Sequence, residues 1–491
     1  MAYFFCINYI YGMHKPWHSL IFGVFLFLAL SLLSFNFPKE GLDIGASVQL
    51  NFPDMNYLFG HKQAKKDITK ILDAISAVDT TFSISDTTSD SAFESPVDSM
   101  PKLNTEIQYR NNSALEKFFS ALRSLNDNPA SIRVLHYGDS QIEGDRITDY
   151  LRLKLQGQFG GHGPGLISFT PISPSLITRI NAGPEWDRYT VFTMKDKRVK
   201  HSNYGVLAGF SRYSNYRKTN DSSTIITSSI QITTTKLGGS NAMQYKKIKL
   251  FYGGAQSKTW AEFFDGPALI GADSLEAAGY FRVKEYSVGR GSNTHSFKFS
   301  GKDSPDFYGV SLESETGVMV DNIAMRGSSG TFFHQINAPQ LKQFYDYLNV
   351  KLIILQFGGN ATPSIKDSIM AANYASYLRG QISIVKKIAP NASILFIGPS
   401  DMSIKQGTEY VTYPYLEQMR DEIKKVVLNS DCAFFDMYDC MGGKNSMESW
   451  VAQKLAASDY IHFSPQGARK MATLLYASLI KEYNRYLKNK H

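Results

Sequence analysis

Four short, almost wholly apolar runs in the C-terminal part of the chain constrain the fold most. They are VDNIAM (320–325), KLIILQFG (351–358), SILFIGPS (393–400) and CAFFDMYD (432–439), and segments with helical spacing separate them. A final helix is expected over residues 465–487. Near-continuous apolar strands that alternate with helices are typical of a parallel sheet covered on both faces. The sequence therefore predicts an α/β fold.

An earlier strand and helix, over residues 134–137 and 145–158, have the same character, and a glycine-rich run at 160–165 predicts a flexible loop after them. Between about 171 and 317 the helical pattern vanishes. Alternating runs punctuated by glycine, such as SSIQITTTKL, YKKIKLFYGG and HSFKFSG, are typical of a β-sandwich or barrel. We therefore expect a β-rich domain at 171–317, inserted into an α/β domain that comprises residues 105–170 and 318–491.

The N-terminus contains one long apolar stretch. No charged residue occurs from Trp17 to Phe37, Lys15 precedes the stretch, and no small-residue cleavage site follows it. About 20 apolar residues suffice to cross a bilayer. An uncleaved membrane anchor at residues 1–37 is therefore favoured over a signal peptide, with the remaining chain exported to the periplasmic side of the inner membrane.

Residues 38–104 are expected to join this anchor to the α/β domain. Residues 61–78 have helical apolar spacing, whereas residues 79–99 are rich in Ser, Thr and Asp and contain five acidic residues and no basic one. Such a composition indicates a flexible tether. The sequence predicts one helix followed by a linker.

Overall composition excludes some partners. The chain has 491 residues, 43% hydrophobic and 20% charged, and its net charge of +8 is spread along the sequence. This is the composition of an ordinary globular protein, and nucleic acid is not an expected partner. Beyond the N-terminal stretch, Cys432 and Cys440 are the remaining cysteines. They predict either a short-loop disulfide or two unpaired buried thiols.

Polar residues with chemical potential follow several predicted strands. Gly138-Asp139-Ser140 ends the first strand, RGSSGT (326–331) follows VDNIAM, and residues 358–360 (GGN) follow KLIILQF. Asp459 and His462 lie just before the final helix. In parallel sheets, ligands bind beyond the carboxyl ends of the strands. Each residue alone could be a turn former, a helix cap or a surface residue, but the ordered set indicates a site.

This ordered set (Gly-Asp-Ser, Gly, Gly-x-Asn, Asp-x-x-His) resembles the four sequence blocks of the SGNH (GDSL-like) hydrolase superfamily, over about residues 105–168 and 318–491. The chain is most similar there to exported peptidoglycan O-acetylesterases, through HYGDSQIEGDRITDYLRLKLQGQFGGHGPG, the β-rich insertion and FYGVSLESETGVMVDNIAMRGSSG. The resemblance implies a flavodoxin-like parallel sheet and a β-sandwich-like, carbohydrate-binding inserted domain. One departure is Gly359, where the family commonly has threonine.

The chemistry expected of these residues is nucleophilic catalysis. A serine hydroxyl needs a neighbouring base, and a histidine oriented by a carboxylate can serve. Ser140, His462 and Asp459 can fill the roles of nucleophile, base and orienting group. The resemblance implies three oxyanion donors, namely the backbone N–H groups of Ser140 and Gly330 and the side-chain amide of Asn360. Asp139 is expected to fix the turn.

The expected function is therefore a membrane-anchored, exported serine esterase. It would remove O-acetyl groups from a cell-envelope polysaccharide, with peptidoglycan as the favoured substrate, through an acetyl-enzyme. Two alternatives stay open: an O-acetyltransferase that uses the same residues, and a non-catalytic glycan-binding protein. The sequence has neither His-Glu-x-x-His nor Cys-x-x-Cys, so no metal or other cofactor is expected.

Overall fold

A computed structural model describes residues 16–37, 42–43, 49–50, 65–85, 106–214, 224–239, 241–277, 279–289, 292–407 and 409–490. The chain forms two compact units, one comprising residues 1–65 and 405–410 and the other residues 66–404 and 411–491. The helices are α1 Pro16–Asn36, α2 Thr69–Ser85, α3 Glu116–Ser124, α4 Thr148–Phe159, α5 Ala338–Tyr347, α6 Ser368–Ile388, α7 Leu416–Asn429, α8 Met437–Met441, α9 Met447–Ala452 and α10 Pro465–Asn489. The strands are β1 Leu42–Asp43, β2 Gln49–Leu50, β3 Ser131–Gly138, β4 Gly165–Ile167, β5 Thr178–Ala182, β6 Asp187–Thr190, β7 Gly209–Arg212, β8 Ile226–Thr234, β9 Lys247–Gly253, β10 Thr259–Asp265, β11 Ala268–Leu275, β12 Arg282–Ser287, β13 Thr294–Gly301, β14 Asp306–Glu313, β15 Gly317–Ala324, β16 Val350–Gln356, β17 Ser393–Ile397, β18 Ser403–Gln406, β19 Glu409–Thr412 and β20 Ala433–Phe435.

The first unit contains the apolar N-terminal stretch, which forms helix α1. Residues Trp17–Asn36 are long and apolar enough to cross a membrane, and an N-terminal signal sequence would meet the same criterion. Side chains such as Leu20, Phe22 and Phe25 are exposed along the helix. The predicted apolar helix is therefore present, and its surface suits a lipid environment.

The second unit is built on a five-stranded parallel sheet with the order β15-β3-β16-β17-β20. Numbered by their order along the chain, these strands run 2-1-3-4-5, which is the flavodoxin-like arrangement. Gly138 at the end of β3 pairs with Ala324 of β15 on one side and with Gln356 of β16 on the other. The predicted fold class is confirmed, and the strand order reverses at β3.

Each face of this sheet covers its own hydrophobic core. On one face, Val134 and Ile354 pack with Leu151 of α4 and Leu475 of α10. On the opposite face, Tyr137 packs in a core that includes residues of α5, α6 and α7 and also residues of the antiparallel strands. Successive residues of β3 point to opposite faces of the sheet. The strand is therefore largely apolar, because its alternate side chains enter one core or the other.

The β-rich segment forms two antiparallel sheets. One has the order β12-β9-β14-β7-β6, with β4 paired to β14, and the other has the order β11-β10-β13-β8-β5. Aromatic side chains fill the space between them, including Trp186, Phe263, Phe297 and Phe299. Large aromatic rings bury much apolar area per residue. The two sheets form the inserted domain, which begins with β4 at Gly165 and so earlier than the predicted residue 171.

A buried ion cluster joins the inserted domain to the parallel sheet. Arg133 of β3 hydrogen-bonds to Asp321 of β15 at 3.0 Å and also contacts Glu313 of β14. Burial alone would raise the pKa of Glu313, but Arg133 and Lys249 outweigh it and lower that pKa to about 2. The charges stay ionised in the interior because they neutralise one another.

Two predicted segment boundaries were wrong. The helix expected from residue 145 begins at Thr148, because Gly144 (φ 65°) and Asp145 (φ 71°) have left-handed backbone conformations that interrupt a helix. Helix α2 continues to Ser85, into the stretch predicted to be a tether. Ile75, in the part of α2 that was predicted to be helical, is buried in the same core as α10. Residues 86–99 of the predicted tether, and 61–64 of the predicted helix, lie outside the described residues.

Two further expectations are resolved by packing. In the 160–165 run, a side chain on Gly161 would lie 2.5 Å from the carbonyl oxygen of Val318, and one on Gly163 would lie 2.2 Å from that of Leu312. The run is therefore a close-packed connection and not a flexible loop. Cys432 and Cys440 are free and buried in cores on opposite faces of the sheet. The unpaired alternative is correct, since the sheet separates the two thiols.

Candidate active site

Ser140 occupies the sharp turn at the end of β3. A 3₁₀ turn runs from Ser140 to Asp145, and the Asp139 carboxylate accepts a hydrogen bond from the backbone N–H of Gln141 at 3.0 Å. A side chain on Gly138 would lie 2.9 Å from Ile142 and 3.2 Å from the carbonyl oxygen of Gln356. Glycine is therefore required where the strand enters the turn, and Asp139 caps the turn as expected.

The structure brings Ser140, His462 and Asp459 into one hydrogen-bonded series. The Ser140 Oγ lies 2.7 Å from His462 Nε2, and His462 Nδ1 lies 2.7 Å from Asp459 Oδ2. The other oxygen of Asp459 accepts the backbone N–H groups of Ile461 and His462, at 2.9 and 3.0 Å. Partial burial raises the pKa of Asp459, but these hydrogen bonds outweigh burial and hold the pKa below its ordinary value. Asp459 is thus an anion that fixes the imidazole ring.

The loop that carries His462 is fastened to the turn that carries Ser140. The side chain of Gln141 donates to the carbonyl oxygen of Ile461 at 2.7 Å and accepts the N–H of Phe463 at 3.3 Å. The guanidinium of Arg146 donates to the carbonyl oxygens of Ser140 (2.9 Å) and Phe463 (3.2 Å). Three of these bonds hold the residues on either side of His462, and the fourth ties Arg146 to the carbonyl oxygen of Ser140.

Sequence reasoning missed both of these residues. Gln141 and Arg146 lie next to the predicted nucleophile, but their partners are more than 300 positions away along the chain. The only available signal was their position in the turn, HYGDSQIEGDR. Their contribution follows from the tertiary structure.

Gly330 and Asn360 lie together beyond the ends of β15 and β16. The Asn360 side-chain amide donates to the carbonyl oxygen of Ser328 at 3.2 Å, and the Gly330 N–H donates to the Ser328 hydroxyl at 3.2 Å. A side chain on Gly330 would lie 2.6 Å from the ring of Phe357. The positive φ of 79° at Gly330 also favours glycine. Both predicted donors are thus fixed at the same edge of the sheet as Ser140.

Asp139 lies beneath this group of residues and is nearly inaccessible, with 3% exposure. Burial raises the pKa of Asp139 to about 6, against opposing effects of the Gln141 N–H and His462. A side chain on Gly359, the position that departs from the family pattern, would lie 3.2 Å from the Asp139 carboxylate. Glycine at 359 therefore leaves the space beside Asp139 open.

The site contains no evident metal-binding group. Among the described residues there is no set of three or more His, Cys, Asp or Glu side chains arranged to hold a metal ion. The Asp459 and His462 side chains instead bond to each other and to Ser140. The arrangement is suited to general-base activation of a hydroxyl group.

A parallel 2-1-3-4-5 sheet with Ser140, Gly330, Asn360 and His462 at its carboxyl edge defines an SGNH-type hydrolase fold. Residues 286–470 match the GDSL-like Lipase/Acylhydrolase family. The matched region contains Gly330, Asn360, Asp459 and His462 but begins after Ser140. Most of the inserted domain lies between Ser140 and the start of that region, which falls in β12.

One solved structure shares the fold, and two others match with low TM-scores. A peptidoglycan O-acetylesterase is 20% identical, with a TM-score of 0.60, and the match covers 77% of this chain and 99% of that one. A family two carbohydrate esterase from Clostridium thermocellum, in complex with cellohexaose, is 13% identical (TM-score 0.22; 54% and 92% covered). A salicylyl-acyltransferase from a tetracycline biosynthetic pathway is 12% identical (TM-score 0.26; 60% and 95% covered). No curated protein matches the chain.

Proposed function

We propose that this protein is a serine esterase that removes O-acetyl groups from a cell-envelope polysaccharide, with peptidoglycan as the substrate. The hydrogen-bonded series of Ser140, His462 and Asp459 carries the proposal, since its two side-chain contacts are both 2.7 Å. A series of this kind activates a serine for attack on an ester. The GDSL-like acylhydrolase match supports ester chemistry.

In the first half of the proposed reaction, His462 Nε2 takes the proton of Ser140 as Oγ attacks the acetyl carbonyl carbon. Asp459 stabilises the imidazolium that forms and keeps Nε2 directed at the serine. The tetrahedral intermediate then collapses, and the sugar oxygen leaves with the proton returned by His462. An acetyl group is now joined to Ser140.

The oxyanion of that intermediate needs preorganised donors, which are the backbone N–H of Ser140, the N–H of Gly330 and the amide of Asn360. The Asn360 amide has two hydrogens, so its bond to Ser328 leaves one for the substrate. A change of the Ser328 side chain to another χ1 rotamer would move Oγ away and release the Gly330 N–H. A single donor of this kind is typically worth about 3 to 4 kcal/mol. Water, activated by His462, then hydrolyses the acetyl-enzyme to acetate.

The proposed substrate and location rest on two separate features. The match to a solved peptidoglycan O-acetylesterase covers 99% of that chain. Helix α1 supplies an apolar segment that would anchor the enzyme in the inner membrane, with the site facing the periplasm. A glycan of the cell envelope is the polymer such an enzyme would meet.

The test measures acetate released from O-acetylated peptidoglycan by the full-length protein in mild detergent. Ser140→Ala should lower the rate by at least about 1,000-fold, because the nucleophile is lost. The exposed Ser376→Ala serves as the matched control and should retain full activity. Acetate release that survives Ser140→Ala would refute the proposal. Acetylated sugar formed from an acetyl donor, without free acetate, would identify a transferase instead.

A further inference from the structure

A cavity of about 680 Å³ lies between the inserted domain and the nucleophile turn. Its walls include Arg188 of β6, Asn322 of β15, and Gly144 and Asp145 at the end of the turn that begins with Ser140. Ligand sites typically enclose about 300 to 1,000 Å³. The cavity is therefore large enough for a sugar unit.

Arg188 places a charged donor in the cavity wall without a partner. No hydrogen bond or ion pair joins the Arg188 side chain to another of the described residues. Burial is the main cause that lowers the pKa of Arg188, with the nearby Arg326 as a second cause. Burial of a charged group is costly unless an opposite charge accompanies it. A ligand with a negative group would supply that charge.

The charges around Arg188 do not balance. Arg326 forms a two-point ion pair with Glu143, at 2.6 Å for each contact, and this uses the carboxylate next to Arg188. Arg188 interacts with both Arg326 and Glu143 through space. Two guanidinium groups therefore share one carboxylate, which leaves a positive charge in this part of the cavity.

Asn322 adds a neutral polar group that is also incompletely bonded. Its side-chain N–H donates to the carbonyl oxygen of Ile142 at 2.7 Å, whereas its side-chain oxygen has no donor among the described residues. Buried carbonyl oxygens normally accept a hydrogen bond. That oxygen has almost no accessible surface, so Asn322 shapes the cavity wall and is not itself an acceptor for the ligand.

The cavity is close to the reacting serine. Gly144 lies four residues after Ser140 in the same turn. Four residues span at most about 14 Å even when fully extended, and a 3₁₀ turn is much shorter. One end of a short glycan could therefore occupy the cavity while an acetyl group on the same chain reaches Ser140.

We propose that this cavity binds a carboxylate of the glycan substrate through Arg188. The inference rests on the proposed esterase function, and it makes the enzyme selective for acetylated glycans that carry a free carboxylate near the acetylated sugar. Arg188 thus acts as a specificity-determining residue supplied by the inserted domain. The guanidinium and carboxylate can form two parallel hydrogen bonds, which gives selectivity for a carboxylate over a neutral group.

The experiment measures binding of two probes to the full-length protein by titration calorimetry. N-acetylmuramic acid carries a free carboxylate, and its methyl ester does not. The acid should bind about tenfold more tightly than the ester. Arg188→Gln should abolish this preference, and Arg188→Lys should retain part of it. Arg282→Gln, an exposed change at the opposite edge of the same sheet, should leave the preference intact.

Equal binding of the two probes, or a preference that persists in Arg188→Gln, would overturn the inference. Thermal unfolding of each variant confirms that the comparison is made between folded proteins. Acetate release from O-acetylated peptidoglycan tests the esterase by a separate readout. A carboxylate preference without acetate release would therefore support this site and reject the esterase. Acetate release without a carboxylate preference would support the esterase and reject this site.

Discussion

Replacement of Asp139 by asparagine should stabilise the protein, and by an amount that depends on pH. Burial raises the pKa of Asp139 from 3.8 to about 6. Each pKa unit corresponds to about 1.4 kcal/mol, so ionised Asp139 costs the folded state about 3 kcal/mol. Below about pH 4 the carboxyl is protonated in the folded and unfolded chains, and the cost is absent. It grows from pH 4 to 6 and is complete above pH 6.

Asparagine has the same shape and no charge, and its oxygen can still cap the Gln141 N–H. Asp139→Asn should therefore match the wild type near pH 4 and exceed it by about 3 kcal/mol at pH 8, measured by urea denaturation of the full-length protein. The exposed Asp127→Asn is the control and should change the stability little at either pH. An equal difference at both pH values, or a less stable variant at pH 8, would refute the reasoning.

Two other substitutions test the contacts that support the site. Arg133→Met should cost about 3 to 5 kcal/mol in urea denaturation, because Asp321 would be left as a buried charge without a cation and Glu313 would keep only Lys249; a loss below 1 kcal/mol would contradict this. Lys249→Met should cost less, since Glu313 would keep its contact with Arg133. Gln141→Ala should lower kcat for a neutral acetyl ester by about 10- to 100-fold with little change in KM, because the His462 loop loses both bonds to this side chain. An unchanged kcat would show that the other contacts suffice.

The order and type of the main elements could be predicted because both depend on local sequence. The strand ending at Gly138 and the helix beginning at Pro465 follow from apolar periodicity, with Ser464 as a cap that accepts the N–H of Gly467. The start of α4 could not be predicted, because Asp145 adopts a positive φ that few non-glycine residues tolerate. Its carboxylate pairs with Arg152 in the interior, which holds that conformation.

The candidate site, like the fold, could be predicted only in part from the sequence. Residue types and their order predicted Ser140, His462 and Asp459, since this chemistry requires a hydroxyl, an imidazole and a carboxylate. The same reasoning could not find Arg188. An arginine in a β-rich segment has no distinctive pattern, and only the tertiary structure shows that Arg188 lines a cavity beside the nucleophile turn.

The position of the inserted domain explains how it can contribute to the site without disturbing the parallel sheet. Its first strand, β4, pairs with its last strand, β14, so that Gly165 lies opposite Leu312 and Ile167 opposite Val310. The chain therefore leaves and re-enters the α/β domain at neighbouring points, and β15 follows β14 after three residues. Because the two ends are held together, the insertion replaces one connection between β3 and β15 and leaves their pairing intact. The same geometry places β6 beside the Ser140 turn, and this is how a distant segment can select the substrate for residues that the parallel sheet positions.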